Sequence, residues 1–316
     1  MGELSKKIGE KGEKLVSEFL TTIGWANFQD GESLSCHSAV SHQLKKDSKR
    51  TTHGIDIFHS FKSQLQDFTL DNIVVSVKYT SNPYPINPTS KFKEHFKDLA
   101  HTIECYMKSD LRSQNNEDYE GMAISTANDT GVLFWLTNDR ESDQDVVSKI
   151  KNINLDKSLG FSTIHIVDNA RAAFIYNAIK YVRNSFSNHE IYFHYTFSSS
   201  NYRDPTTSRY GKVFPVEYLT SDIIPFRVVD NVTGKTSFCL ASREEFTEES
   251  INRLLYLASD VSQDFTGDFI FLYPDYDVIN HEASVKRARR IQNDKLDLLN
   301  VTVKSYSNDF RVMINE

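Results

Sequence analysis

Two stretches of the sequence decide the fold: HGIDIF at residues 53–58 and IVVSVK at residues 73–78. Each is a short apolar run interrupted by one or two polar residues, which is typical of a mostly buried β-strand. The polar exceptions include Asp56 and Lys78, and both side-chain types are costly to bury without a partner. An acid and a lysine on neighbouring strands offset that cost together at a site that holds a metal ion and water. We therefore expect a polar site within an apolar sheet.

The spacing within the two strands places the polar residues on defined faces. Residues two apart on a strand point to the same face, so Ser76 and Lys78 share one face. Gly54 lies two residues before Asp56 and therefore on the face of the acid. Because glycine has no side chain, we expect room there for a backbone or a phosphate to approach.

The composition describes an ordinary globular protein, with 39% hydrophobic and 25% charged residues. A chain of 316 residues can bury a substantial core, and we expect two units, 1–186 and 187–316. The net charge of −7 argues against a histone-like or polybasic binder. Nucleic acid stays open as a substrate, because only the local field at a cleft needs to be positive.

The three cysteines, Cys36, Cys105 and Cys239, are far apart and form no CxxC motif, so we expect reduced thiols in a cytoplasm. His37 and His42 follow Cys36, but no second ligand pair follows at zinc-like spacing, and we predict no metal cluster there. The N-terminus has no secretory apolar core, and no apolar run approaches membrane-spanning length. These features predict a soluble, cytoplasmic protein without a membrane partner.

Hydrophobic periodicity predicts alternating helices and strands up to residue 186. The first helix, over residues 4–23, has Ile8, Leu15, Phe19 and Ile23 on its apolar stripe, which Val16 and Leu20 widen. Glu13 lies off that stripe. The other predicted elements are a strand over 34–40, a helix that starts at Thr89 or Ser90 and ends at about Lys108, a polar loop over 109–118, a strand over 131–137, a helix over 143–152, a strand over 163–167 and a helix over 169–183. This order predicts an α/β sandwich around a mixed sheet.

The remaining residues, 187–316, are interpreted as a second α/β unit that matches no motif. Its role is unknown from the sequence, and partner or substrate binding is the expectation. A hairpin over 226–240 turns at Thr233-Gly234, and the last predicted strand covers 310–314. The last predicted helix, over 282–291, carries a local positive face of Lys286, Arg287, Arg289 and Arg290. Such a face is more often simply solvated than a nucleic-acid patch.

The residues of the first unit resemble the core of the PD-(D/E)XK nuclease superfamily. The resemblance lies in Glu13 on a helix, Asp56 after a glycine on a strand, and Ser76-x-Lys78 on the next strand, in that order. The superfamily usually carries Glu, Asp or Gln where this chain has Ser76. The stretch from Gly12 to Trp25 is similar to the first helix of the junction-resolvase and Mrr-like branches. The resemblance implies a restriction-endonuclease-like α/β fold, a mixed sheet flanked by helices, with a second smaller α/β domain.

The resemblance also implies an activity, the hydrolysis of DNA phosphodiester bonds with Mg²⁺ or Mn²⁺. Asp56, Glu13 and Ser76 would hold the metal, and Lys78 would orient or deprotonate the attacking water. A nuclease-like domain joined to an unfamiliar second unit looks like the nuclease subunits of bacterial anti-phage defence systems of the GAPS type. That likeness implies DNA as the target, and a companion defence protein or a second copy of the chain as a partner.

Three explanations for Ser76 stay open. In the first, its hydroxyl or a water that it holds contributes to the site, and Glu13 is the second carboxylate. In the second, an acid has moved to the helix after the strand, where Glu94 is the nearest candidate although it faces away from the buried stripe. In the third, the chain has lost catalysis and is a nucleic-acid-binding or scaffold subunit. An unrelated binding protein with a structural Asp56–Lys78 ion pair is a further alternative.

A basic run of Lys45, Lys46, Lys49 and Arg50 ends three residues before His53. It has no apolar periodicity and is therefore interpreted as a loop or hairpin. Because the run lies beside the proposed site, we expect its side chains to contact nucleic-acid phosphates, against the alternative of a solvated loop.

Overall fold

The computed structural model describes residues 2–43, 48–140, 144–198, 200–204, 208–262, 265–291 and 300–307. The chain divides into two units, Met1–Ala172 and Ala173–Glu316, each with its own β-sheet. This division lies before the boundary expected at residue 186. Among the described residues, no helix is both long enough and apolar enough to cross a membrane.

The first unit is built on a five-stranded mixed sheet. Its elements are α1 (Gly2–Thr22), β1 (Gln29–Ser35), β2 (Thr52–Lys62), β3 (Thr69–Thr80), α2 (Thr89–Tyr106), α3 (Asp110–Asp118), β4 (Thr126–Thr137) and β5 (Thr163–Val167), and α4 (Asn169–Ser185) runs across the division. The strands lie in the order β1-β2-β3-β4-β5. Strands β1, β2 and β3 pair antiparallel, and β3, β4 and β5 pair parallel.

Helices α1 and α2 cover opposite faces of this sheet. Phe19 of α1 contacts Phe134, with ring centroids 5.7 Å apart. Phe92 of α2 contacts the next residue of β4, Trp135, with ring centroids 6.2 Å apart. Successive residues of a strand point to opposite faces, so the two contacts identify the two faces. The predicted α/β sandwich around a mixed sheet is confirmed.

Of the stripe predicted for α1, Val16, Leu20 and Ile23 are buried but Leu15 is not. Leu15 is 46% exposed, and the buried apolar residues at this end of the unit are Val16, Leu20, Ile23 and Trp25. The helix is turned so that Gly12 meets Tyr79 of β3. A side chain at position 12 would collide with the Tyr79 side chain, so glycine is what permits the close approach of α1 to β3.

The segment predicted as a polar loop over 109–118 forms α3 instead. Ser109 caps this helix, because its hydroxyl accepts a hydrogen bond from the backbone N–H of Arg112 at 3.2 Å. None of the α3 residues is buried, so the helix has no apolar stripe that could reveal it in the sequence.

Two further elements are shifted or shortened. The strand predicted over 34–40 is β1, which begins at Gln29 and ends at Ser35. Of the helix predicted over 143–152, the described part contains a 3-10 turn, Val147–Ile150. The carboxylate of Asp168 accepts a hydrogen bond from the backbone N–H of Val147 at 2.9 Å and so holds the start of that turn.

The second unit is built on a six-stranded mixed sheet with the order β11-β10-β9-β8-β6-β7. Its elements are β6 (His189–His194), β7 (Tyr210–Gly211), β8 (Ile223–Asp230), β9 (Thr236–Ser242), α5 (Glu248–Ser262), β10 (Asp268–Tyr273), α6 (Val278–Ile291) and β11 (Asn300–Ser305), with a 3-10 turn at Val216–Thr220. The predicted hairpin is confirmed as the antiparallel pair β8–β9. The strand predicted over 310–314 lies outside the described residues.

Candidate active site

The two strands that carry Asp56, Ser76 and Lys78, β2 and β3, separate beside Asp56. The register between β2 and β3 extends as far as the pair Ile57↔Val75. Beyond that pair, the backbone N–H of Val77 donates a hydrogen bond to Oδ2 of Asp56 at 2.6 Å. The carboxylate thus accepts a hydrogen bond from β3 where the two strands diverge.

Asp56 also interacts with Ser76 and Lys78 of β3. The Ser76 hydroxyl hydrogen-bonds the Asp56 carboxylate, and the charge of Lys78 acts on it. Burial raises the pKa of Asp56 above its usual 3.8, and the Val77 hydrogen bond, Lys78 and Ser76 offset part of that increase. The structure therefore brings Asp56, Ser76 and Lys78 together.

Helix α1 brings Glu13 to the same end of β3. Gly12 contacts Tyr79, the residue after Lys78, so the adjacent Glu13 lies near the end of the strand. The Glu13 side chain is exposed, yet its pKa is raised above 4.5 by partial desolvation and by the charge of Asp56. The charge of Asp56 therefore acts on the Glu13 carboxylate.

A third carboxylate, Asp98 of α2, binds the two cations of the site. Lys78 Nζ donates to Asp98 Oδ2 at 3.3 Å, and Arg50 Nη1 donates to Asp98 Oδ1 at 2.6 Å. Burial alone would raise the pKa of Asp98, but the charges of Lys78 and Arg50 hold it below 3.8. Asp98 therefore stays ionised and links Lys78 of β3 to Arg50, which precedes β2.

Asp98 was not predicted from the sequence. The predicted helix candidate, Glu94, is exposed and pairs with Lys91 at 3.0 Å. Asp98 lies one turn further along α2, and the only sequence signal for it is that spacing of four residues. Its burial depends on the chain between β1 and β2, from which Arg50 reaches it, and no local pattern predicts that packing.

The basic run divides into parts with different surroundings. Lys49 is exposed, whereas Arg50 is half-buried, bound to Asp98 and also donates from Nε to the carbonyl oxygen of Thr52 at 2.9 Å. Lys45 and Lys46 lie outside the described residues. Contact of the run with phosphates stays a prediction.

The donor atoms of this site are oxygens. Asp56 and Glu13 offer carboxylates and Ser76 offers a hydroxyl, which is the donor set that hard divalent cations such as Mg²⁺ and Mn²⁺ prefer. Burial is the main cause of the raised pKa of both carboxylates. The charge of Asp56 adds to the increase at Glu13, and the charge of Asp98 adds to the increase at Asp56. The arrangement can therefore hold such a cation beside the Lys78 ammonium.

Comparison with known proteins gives a match over the first unit. The family model described as the GAPS4 protein PD-(D/E)XK nuclease domain matches residues 1–171, more than half of the chain. The matched range contains all the residues of the site described above. No curated protein and no solved structure matches the chain. The extent of the family match shows that this chain belongs to the GAPS4 family of PD-(D/E)XK nuclease-domain proteins.

Proposed function

We propose that this chain is a metal-dependent nuclease that hydrolyses DNA phosphodiester bonds in the bacterial cytoplasm, in anti-phage defence with a companion protein. Family membership supports a nuclease-like function. The observation that carries the proposal further is the meeting of Asp56, Ser76 and Lys78 where β2 and β3 diverge. The metal, the DNA substrate, the defence role and the partner are parts of the proposal.

In this proposal Asp56 and Glu13 hold Mg²⁺ or Mn²⁺, and Ser76 contributes its hydroxyl or a water. When bound, the cation supplies charge neutralisation at the phosphate and a more acidic water. Ser76 occupies the position of the family's usual acid without adding a third negative charge next to Asp56. Glu13 then serves as the second carboxylate, a role supported by the contact of Gly12 with Tyr79 and by the action of the Asp56 charge on the pKa of Glu13.

Lys78 positions the water and the phosphate. An ammonium has three N–H donors, and Asp98 accepts one of them at 3.3 Å. The other donors can face a phosphate oxygen and the attacking water. Asp98 is then a positioning residue, since it fixes the direction of Lys78 and keeps the Arg50 guanidinium beside the same point. Both cations lower the cost of bringing a phosphodiester to a cluster of acids.

Cleavage assays with purified full-length chain test the proposal. The substrates are supercoiled plasmid, single-stranded DNA and RNA, each with Mg²⁺, Mn²⁺ or EDTA. We expect cleavage of DNA that EDTA abolishes. Asp56→Asn keeps a hydrogen-bond acceptor for Val77 and Lys78→Met keeps the apolar stem, so both should fold but lose cleavage, whereas the exposed Glu94→Gln should cut like wild type.

The alternative is a nuclease-like subunit that binds nucleic acid without cutting it. Ser76 in place of the usual acid is the observation that favours this alternative. A folded wild-type chain that binds DNA but cuts no substrate with either metal would support it. Cleavage that persists in Asp56→Asn, or that EDTA does not affect, would refute the proposed active site.

A further inference from the structure

A second cluster of side chains, distinct from the carboxylates, lies between β2 and α2. Its members are Cys36 just after β1, His42 in the following connection, His53 of β2 and Cys105 of α2. One donor atom from each residue lies within 4.8 Å of the other three, and all but Cys36 are buried. We propose that these four residues bind one structural zinc ion.

The distances between the donor atoms fit a tetrahedral zinc site. Zn–S bonds of about 2.3 Å and Zn–N bonds of about 2.0–2.1 Å place two nitrogens about 3.3 Å apart, and a nitrogen and a sulfur about 3.6 Å apart. His42 Nδ1 lies 3.3 Å from His53 Nε2, and 3.5 Å from both Cys36 Sγ and Cys105 Sγ. Two thiols and two imidazoles with these separations form a Cys₂His₂ set.

The partners of the two histidines turn their lone pairs toward the centre of the cluster. His42 Nε2 lies 3.2 Å from Glu104 Oε2, which can only accept, so Nε2 carries the proton and Nδ1 faces inward as a lone pair. The Thr102 hydroxyl donates to the carbonyl oxygen of Asp98 at 2.9 Å, so it accepts from His53 Nδ1 at 3.3 Å. His53 Nε2 then also faces inward as a lone pair.

This arrangement is the outer shell that metal-binding histidines usually have, in which a carboxylate or hydroxyl fixes each ring. The backbone N–H of His37 donates to Cys105 Sγ at 3.4 Å. Sulfur and imidazole donors select zinc over Mg²⁺, and four protein ligands leave no open position for a substrate. The two thiols release their protons when the metal binds.

The zinc would fix the elements that carry the nuclease site. His53 lies three residues before Asp56 on β2, and Cys105 lies seven residues, about two helical turns, after Asp98 on α2. Cys36 and His42 belong to the connection between β1 and β2, from which Arg50 reaches Asp98. The ion therefore joins the chain before β2 to α2, next to the Lys78–Asp98–Arg50 contacts, without taking part in the chemistry.

Elemental analysis of the tag-free full-length chain, purified under reducing conditions and supplied with Zn²⁺, tests this inference. We expect about one zinc per chain, and Co²⁺ in its place should give the visible bands of a tetrahedral site with a sulfur-to-cobalt charge-transfer band. Cys36→Ala should lose both signals. His37→Ala, an exposed neighbour, and Asp56→Asn, at the nuclease site, should keep them.

Unfolding provides a readout that does not depend on activity. Removing the zinc with a chelator should lower the unfolding midpoint of the wild-type chain, and Cys36→Ala should show a lowered midpoint that the chelator no longer changes. A folded wild-type chain without zinc after reconstitution overturns the inference, as does zinc that Cys36→Ala and Cys105→Ala both retain. Loss of zinc in Asp56→Asn would assign the ion to the nuclease site and would equally overturn it.

Discussion

Replacing Gly12 with alanine should separate α1 from β3. A Cβ at position 12 would lie against Cβ of Tyr79 and 2.8 Å from its Cγ, and these atoms are too close to the strand backbone to swing away. Overpacking of this kind costs about 1–3 kcal/mol. The same substitution removes a glycine from a helix, which stabilises by about 0.5–1 kcal/mol. Relative to wild type, Gly12→Ala should therefore lower the free energy of unfolding by about 0–2.5 kcal/mol.

Gly9→Ala is a matched control in the same helix. Nothing lies within 4 Å of a Cβ at position 9, so this variant should gain the stability that comes from removing a helical glycine, without the collision. The difference between the two variants then isolates the collision, about 1–3 kcal/mol. Both tryptophans, Trp25 and Trp135, lie in the first unit, so urea denaturation followed by tryptophan fluorescence reports on that unit alone.

The same pair of variants tests the position of Glu13. Because Gly12→Ala pushes α1 away from Tyr79, it should also weaken metal-dependent cleavage, whereas Gly9→Ala should cut like wild type. Equal stabilities for the two variants would mean that α1 does not approach β3 as closely as described. A destabilised Gly12→Ala with full activity would remove Glu13 from the metal site.

Four further experiments address the charges of the site. Ser76→Glu should lower the unfolding midpoint in EDTA, since it adds a carboxylate beside Asp56. The same variant should keep or raise Mg²⁺-dependent cleavage. Unchanged cleavage together with unchanged metal affinity would count against a metal-facing position of residue 76. Asp98→Asn should reduce cleavage about tenfold, which corresponds to ~1.4 kcal/mol of transition-state stabilisation, while Glu94→Gln has no effect. The raised pKa of Asp56 means that the folded state holds its proton longer than the unfolded state, so stability in EDTA falls as pH rises from the unfolded value of 3.8 through the raised folded value. Asp56→Asn should abolish that fall and be more stable than wild type in EDTA at pH 8, which unfolding curves at pH 4 and pH 8 would check. Finally, alanine in place of Lys45, Lys46 and Lys49 should flatten the slope of log affinity for duplex DNA against log salt concentration. The slope should change by up to ~2.7, about 0.9 for each phosphate contact.

The sequence predicted the strands of the site because their polar residues are exceptions within apolar runs. Asp56 and Lys78 stand out in β2 and β3, and a period of two relates Ser76 to Lys78. Helix α3 was missed for the opposite reason. It buries none of its residues, so its Asn- and Asp-rich composition was interpreted as a loop although Ser109 is a good N-cap.

The residues that the sequence did not predict are those whose neighbours lie far along the chain. Asp98 meets Arg50 across 48 residues and Lys78 across 20 residues. Cys36 and His42 were set aside because no second ligand pair follows nearby, yet Cys105 lies 63 residues after His42 and 3.5 Å from it. Spacing rules describe sites built from one local segment, and the packing of the β1–β2 connection on α2 brings these residues together instead.

The hydrogen bond from Val77 to Asp56 gives the site a natural spectroscopic reporter. Its donor is a backbone amide within the sheet, so the electron density at that nitrogen depends on whether the carboxylate is ionised, protonated or engaged by a cation. The amide resonance of Val77 should therefore titrate with the carboxylate and shift on addition of Mg²⁺. Selective ¹⁵N-valine labelling would follow occupancy of the proposed metal site in solution without any substrate.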